Sequence, residues 1–202
     1  GVIRLAGAAM LDGQRVGIEG TLRSAPSEPT RLDIGARLSG VSLRLAGVAD
    51  SPFALGKARL SGRAQGADFA QLAALGGIEL PPMPDFEIGA RIGHVRQGWH
   101  FSHIEGRIGR TDLAGRLTLD QRRARPLMVA TLTSRQLDMA DARRLFSVQE
   151  DAAAARLLPD APLSPDALGR FDAVVDYRAE QVAGTAHAPA HLTMKLALLR
   201  GL

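Results

Sequence analysis

Between Phe86 and Met139 apolar residues alternate with polar ones or glycine in a series of short runs. These are Phe86-Glu87-Ile88-Gly89-Ala90-Arg91-Ile92, Trp99-His100-Phe101, Ile104-Glu105-Gly106-Arg107-Ile108, Leu113 to Asp120, and Met128 to Leu132, with short polar breaks between them. A period of two over so many consecutive segments predicts half-buried antiparallel strands. The first 66 residues carry the same pattern as β-hairpins. Asp12-Gly13 between alternating runs predicts a two-residue type I′ turn. Val16, Ile18 and Leu22 then share one face; Leu32, Ile34, Ala36 and Leu38 continue it, as do Ala58, Leu60, Gly62 and Ala64. At Ser39-Gly40 the parity shifts to Val41, Leu43 and Leu45, which predicts a turn or bulge there. A second parity change, between Phe101 and Ile104, predicts another bulge.

Two short helices interrupt the strands. Asp68 caps Phe69 to Leu75, ahead of Gly76-Gly77, and Asp138 precedes Met139 to Phe146; aspartate accepts the free N–H groups of a first turn and glycine suits the residue past the last. Each helix has a Leu-Pro segment after it, Leu80-Pro81-Pro82 and Leu158-Pro159-Asp160. Caps 70 residues apart and prolines 78 apart describe a degenerate repeat of strands, helix, proline lead-in and strands. The expected organisation is a hairpin region at 1–66, a repeat at 67–146, and the start of a further repeat at 147–202 with a mobile insertion at 147–156. The last strands run from Phe171 to Glu180 and from Leu192 to Leu198. The fold class expected is mainly β: a long twisted antiparallel sheet curled into an open groove, with short helices between repeated strand sets.

Composition narrows the picture. Hydrophobic residues make up 46% of the 202, but aromatics only 4%, so the apolar face is aliphatic. The net charge of +4 comes almost wholly from dispersed arginine, with only Lys57 and Lys195 as lysines. It lacks the basic stripe with interleaved aromatics that single-strand binding uses, and nucleic acid is not expected as a partner. Cysteine is absent, which removes disulfides and thiolate metal sites. No segment reads as a signal peptide or membrane span. The chain starts and stops within strand-like sequence, which leads us to expect a piece of a longer protein.

No constellation for chemistry emerges. His100 and His103 are three apart in a strand and point to opposite faces unless the bulge intervenes; neither they nor His94, His187 and His191 have the spacing of a metal site. Asp112, Asp120, Asp138 and Asp141 suit turns and caps. Without a nucleophile elbow, phosphate loop or dinucleotide fingerprint, neither catalytic residues nor a cofactor is expected.

Residues 110–120, reading Arg-Thr-Asp-Leu-Ala-Gly-Arg-Leu-Thr-Leu-Asp, then Arg125-Pro126 and Ala130-Thr131-Leu132-Thr133-Ser134-Arg135-Gln136-Leu137-Asp138, resemble the repeated C-terminal signature of the AsmA family. That signature is a D-L-x-G strand, a P-x-L-x-A-x-L-x-S-x-x-L-D-L strand and an acidic-capped helix. The resemblance spans about residues 60–200, with Met139 where leucine is usual. It implies a bacterial envelope protein held in the inner membrane by an anchor outside this sequence and extending into the periplasm. It also implies kinship with bridge-like lipid carriers and a part in phospholipid transport and outer-membrane integrity.

An apolar sheet face without long helices to cover it suits acyl chains. The lining expected is Phe86, Ile88, Ile92, Leu113, Leu117, Leu119, Leu132, Phe171, Val175, Leu192, Met194 and Leu196, with phospholipid as the partner. A dry closed barrel or sandwich is the competing arrangement, since it needs the same alternation. The alternative function is a non-enzymatic envelope scaffold for outer-membrane protein assembly, with a closed β core or with open sheet edges that recruit partners by strand addition.

Overall fold

The computed structural model describes residues 1–11, 14–25, 28–38, 40–50, 58–75, 80–95, 98–122, 125–146, 172–184 and 190–199. Eleven strands form one sheet in strict sequence order: β1 (Val2–Leu11), β2 (Gln14–Arg23), β3 (Thr30–Leu38), β4 (Val41–Ala49), β5 (Arg59–Gly66), β6 (Phe86–Val95), β7 (Gly98–Ile108), β8 (Thr111–Asp120), β9 (Leu127–Asp138), β10 (Asp172–Ala183) and β11 (Leu192–Leu198). The outer strands β1 and β11 do not pair with each other, so the sheet stays open. A closed barrel is excluded.

Alternation sets one face apart from the other. Cross-strand partners place Ile3, Leu22, Leu32, Gly47, Leu60, Ile92, Phe101, Leu117, Ala130, Val175 and Leu196 in a single row across all eleven strands. At about 4.8 Å per strand the row is roughly 48 Å long. The opposite face carries Arg31, Arg44, Arg63, Arg91, Arg107 and Arg178, all exposed. Pairs such as Arg44–Asp33 lie across strands there.

The sheet is curled, and its closest backbone approaches lie on the apolar side. A Cβ at Gly47 would run into the Arg59 carbonyl of the next strand, and one at Gly106 into the Glu87 carbonyl. Only glycine allows these close approaches. Curling also explains burial without a second layer. Leu32 and Leu60 are buried in a cluster made only of strand residues and Ala58, just before β5, with Leu22, Ile34, Leu45 and Ile92 packed around it. Their cover is the side chains of neighbouring strands.

Two departures from plain antiparallel alternation matter. One is the expected bulge: β7 gains a residue between Phe101 and Ile104, and His103 takes φ 49°. The other corrects the sequence reading. β9 and β10 run parallel, Asp172 pairing with Leu127 and Ala183 with Asp138. The sheet is therefore mixed. β6 starts at the end of the sheet where β5 stops, whereas β10 starts at the opposite end from where β9 stops. A period of two encodes which face a side chain takes but not which way the strand runs.

Both helices, α1 (Phe69–Leu75) and α2 (Met139–Phe146), sit at one end of the sheet. Asp68 accepts from the Ala70 N–H at 2.9 Å and Asp138 from the Ala140 N–H at 2.8 Å, so both expected caps form. Asp68 also accepts from the Met83 N–H at 2.8 Å, which ties the proline segment back onto the cap. The turn at Asp12-Gly13, the glycines after α1, the 147–156 insertion and the second Leu-Pro segment lie outside the described residues.

Candidate functional site

The candidate site is the apolar face. Ile92, Leu117, Val175 and Leu196 lie in the same row, on β6, β8, β10 and β11. Ile88 and Leu113 flank Gly106 two rows away, with Ile104 and Gly115 in the row between. Leu119 pairs with Met128, and Leu132 leads through Tyr177 to Met194. Register thus brings eleven of the twelve expected lining residues, all but Phe171, to one face; Phe171 lies outside the described residues.

Two of the eleven are spent on the helix end. Phe86 is 2% exposed beneath Phe69 of α1, ring centroids 5.5 Å apart and edge-to-face at 79°. Leu192 packs with Tyr177, Met139 and Val182 against a cluster of Leu137, Ala142 and Ala179, which includes α2. The helices thereby wall one end of the face, while its other nine described residues remain partly accessible.

The sequence reading left out the first hairpins and the aromatic residues of β7. Leu22, Leu32, Ile34, Leu45 and Leu60 extend the same surface, as do Trp99, Phe101 and Ile104. The signal was present as the same period of two, interrupted by glycines that hold the rows together. Few polar groups intrude. Tyr177 donates its hydroxyl to Ser134 Oγ at 2.9 Å, and burial pushes its phenol above the ordinary tyrosine value. Tyr177 therefore stays neutral and satisfied within the face.

Other polar clusters are structural. Asp141 Oδ2 accepts from the Arg110 N–H at 2.8 Å, the Thr111 N–H at 3.1 Å and the Thr111 hydroxyl at 3.1 Å. These bonds clip the β7–β8 turn to α2. The β7 bulge carries His103 to the same polar face as His100, whose Nδ1 lies 3.1 Å from Thr118 Oγ1. Among the described residues no three histidine, aspartate or glutamate side chains gather as a metal site would require.

An open depression of about 890 Å³ lies beside that bulge, on the polar face, bounded by Arg44, Arg63, Arg91, Arg107, Glu87 and Glu105 over a floor of small residues. Arg44 and Arg107 already pair with Asp33 and Asp85. Glu87 and Glu105 match Arg63 and Arg91 in number, so the formal charges around the hollow sum to zero.

Among the described residues no helix is long and apolar enough to cross a membrane, which leaves spanning by strands unaddressed. Comparison of the chain with protein-family models, curated proteins and solved structures returns no match.

Proposed function

We propose that this chain binds phospholipid by laying its acyl chains along the apolar face, as one section of a conduit for lipid between the inner and outer membranes. The observation that carries the reading is the row of eleven residues from Ile3 to Leu196, which crosses the whole sheet without one polar side chain. A protein partner of ordinary interface chemistry would call for polar anchors among the apolar contacts. An acyl chain asks only for continuous aliphatic surface. Each methylene taken from water contributes about 0.8 kcal/mol, so even partial cover of one chain retains a lipid without headgroup contacts. The bacterial periplasm, an inner-membrane anchor outside this sequence and a contribution to outer-membrane integrity follow from the AsmA resemblance and belong to the same proposal. No step of it needs catalysis or a cofactor.

The test is organic extraction and mass spectrometry of the chain purified from bacterial cells without added lipid. Stoichiometric phospholipid, lost in a Leu117→Asp, Leu119→Asp double variant that keeps its β circular dichroism, is the expected result. A folded, lipid-free wild-type chain overturns the proposal.

One observation favours a second reading, an envelope scaffold. Edge strand β1 is apolar on both faces, with Val2 60% and Met10 67% exposed, and its only charge is Arg4. Such an edge lacks the charges and prolines that discourage pairing. Capture of a partner strand by lipid-free protein, lost when Ala6 and Ala8 become lysine, is the result that separates this reading from the first.

A further inference from the structure

Resting on the lipid reading, we infer that the bound phospholipid has a fixed polarity: its acyl chains point toward the helices, and its headgroup emerges at the opposite end of the strands, beside Trp99. The two ends of the apolar face differ in kind. At the helix end Phe69 covers Phe86, and Ala142 of α2 joins the cluster over Tyr177 and Leu192. A headgroup seated beneath Phe69 or Ala142 would be buried among apolar side chains, which costs free energy, and the nearby Arg107 and Arg110 already pair with Asp85 and Asp138. The end is suited to methyl termini.

At the other end the last cross-strand row is His94, Trp99, Leu119, Met128 and Ala173. The described residues place no helix over it. His94 is exposed and meets the Trp99 ring edge-on, centroids 5.2 Å apart. Trp99 is partly buried, yet among the described residues its indole N–H has no acceptor. A tryptophan with its ring on apolar surface and a free donor at the edge matches the boundary between acyl chains and headgroups, where the acceptor is an ester or phosphate oxygen. Beyond this row come charged turns, with Arg122 on Asp120 and Arg125 on Asp172. From apolar wall to amphipathic aromatic to charged turn, the strands repeat the order of groups along one phospholipid.

Trp99 is the chain's single tryptophan, so the protein carries its own reporter. The chain is loaded from phosphatidylglycerol vesicles whose acyl chains are brominated either beside the ester or near the methyl end. Vesicles are then removed by flotation, bound lipid is quantified by extraction, and Trp99 fluorescence is read. Because an acyl chain is ~15 Å long, the two labels lie at different depths, and ester-side bromine is expected to quench roughly twofold more than methyl-side bromine. A Trp99→Phe, Leu192→Trp variant moves the reporter under α2 and should reverse the order. Equal quenching at Trp99, stronger quenching from the methyl side, or bound lipid that quenches from neither position overturns the polarity while leaving lipid binding intact. Absence of lipid in the extract overturns the binding proposal itself and the polarity with it.

Discussion

Asp112 links the sheet to the wall of its apolar face, and its removal tests that link. The β8–β9 ladder runs from Asp120–Leu127 to Ala114–Thr133 and then stops. Beyond it the Asp112 carboxylate accepts from the Arg135 N–H at 3.0 Å and the Gln136 N–H at 2.7 Å, replacing ladder bonds with side-chain ones. Ser134 adds a hydroxyl bond to the Asp112 carbonyl. Held this way, Arg135 and Gln136 both stay exposed, and the buried set resumes at Leu137, beneath α2. The Arg135 guanidinium lies 3.6 Å from Asp112 but is 86% exposed, so the ion pair contributes little. The two backbone donors dominate, much as at a helix cap, and Asp112→Ala should cost about 2 kcal/mol. For a chain of this size that is a fall of roughly 4–8 °C in Tm. Asp112→Asn keeps one acceptor and should cost about half as much.

The dependence on pH gives a sharper test. Burial disfavours the charged carboxylate, but the Gln136 and Arg135 N–H groups and the Arg135 charge outweigh it and hold Asp112 below the usual range. A depressed folded value means the stabilisation is complete above the unfolded pKa of about 3.9 and is lost as pH falls through the folded one. Urea denaturation of wild type and Asp112→Asn, followed by circular dichroism, should show a constant gap above about pH 5 that narrows below about pH 4. A gap unchanged down to about pH 2, or an Asp112→Ala protein as stable as wild type, refutes the reasoning.

Three further outcomes are expected. Gly106→Val puts a side chain into the Glu87 carbonyl and should cost about 3 kcal/mol or more, whereas Gly7→Val meets nothing within 4 Å and should leave the urea midpoint unchanged or raise it. Phe69→Ala removes the edge-to-face contact with Phe86 and should cost about 2–3 kcal/mol; hydrogen exchange should speed up selectively across residues 69–75. Arg44→Gln breaks a 2.7 Å bridge to Asp33 between side chains 70% and 45% exposed, so its stability should stay within about 0.5 kcal/mol of wild type.

The readable features were those set by neighbours in sequence. Leu38 pairs with Val41 across a connection in which Gly40 has φ 89°, as the parity shift at Ser39-Gly40 implied. The β7 bulge was visible because Phe101 and Ile104 cannot share a face otherwise. Both aspartate caps were visible because the donors they satisfy lie two residues on. Tertiary features left no such mark. The parallel β9–β10 pair joins segments far apart in sequence, and Asp112 bonds groups more than twenty residues away. Phe86 read as lining because its alternation matches that of Ile88 and Ile92. Only the position of Phe69, fixed by Asp68 and the 3.1 Å bond from the Phe69 N–H to the Pro84 carbonyl, puts a ring over it.

On the proposed lipid reading, the architecture also constrains how lipid moves. Each strand contacts its sequence neighbours, so adding a strand lengthens the row by about 4.8 Å without altering the rest, as in other quasi-linear repeats. An acyl chain ~15 Å long, lying along the strands, covers only part of their length and a few of the eleven at a time. Motion from strand to strand then meets a succession of similar aliphatic sites, and the highest barrier along the row sets the rate. Leu117 stands between Phe101 and Ala130 in that row. A charge there would be worse than a lost contact, because a chain crossing it must bury a carboxylate or leave the surface. Placed singly, Leu117→Asp should therefore slow exchange between lipid loaded near β1 and lipid loaded near β11, a partial form of the loss expected of the Leu117→Asp, Leu119→Asp pair.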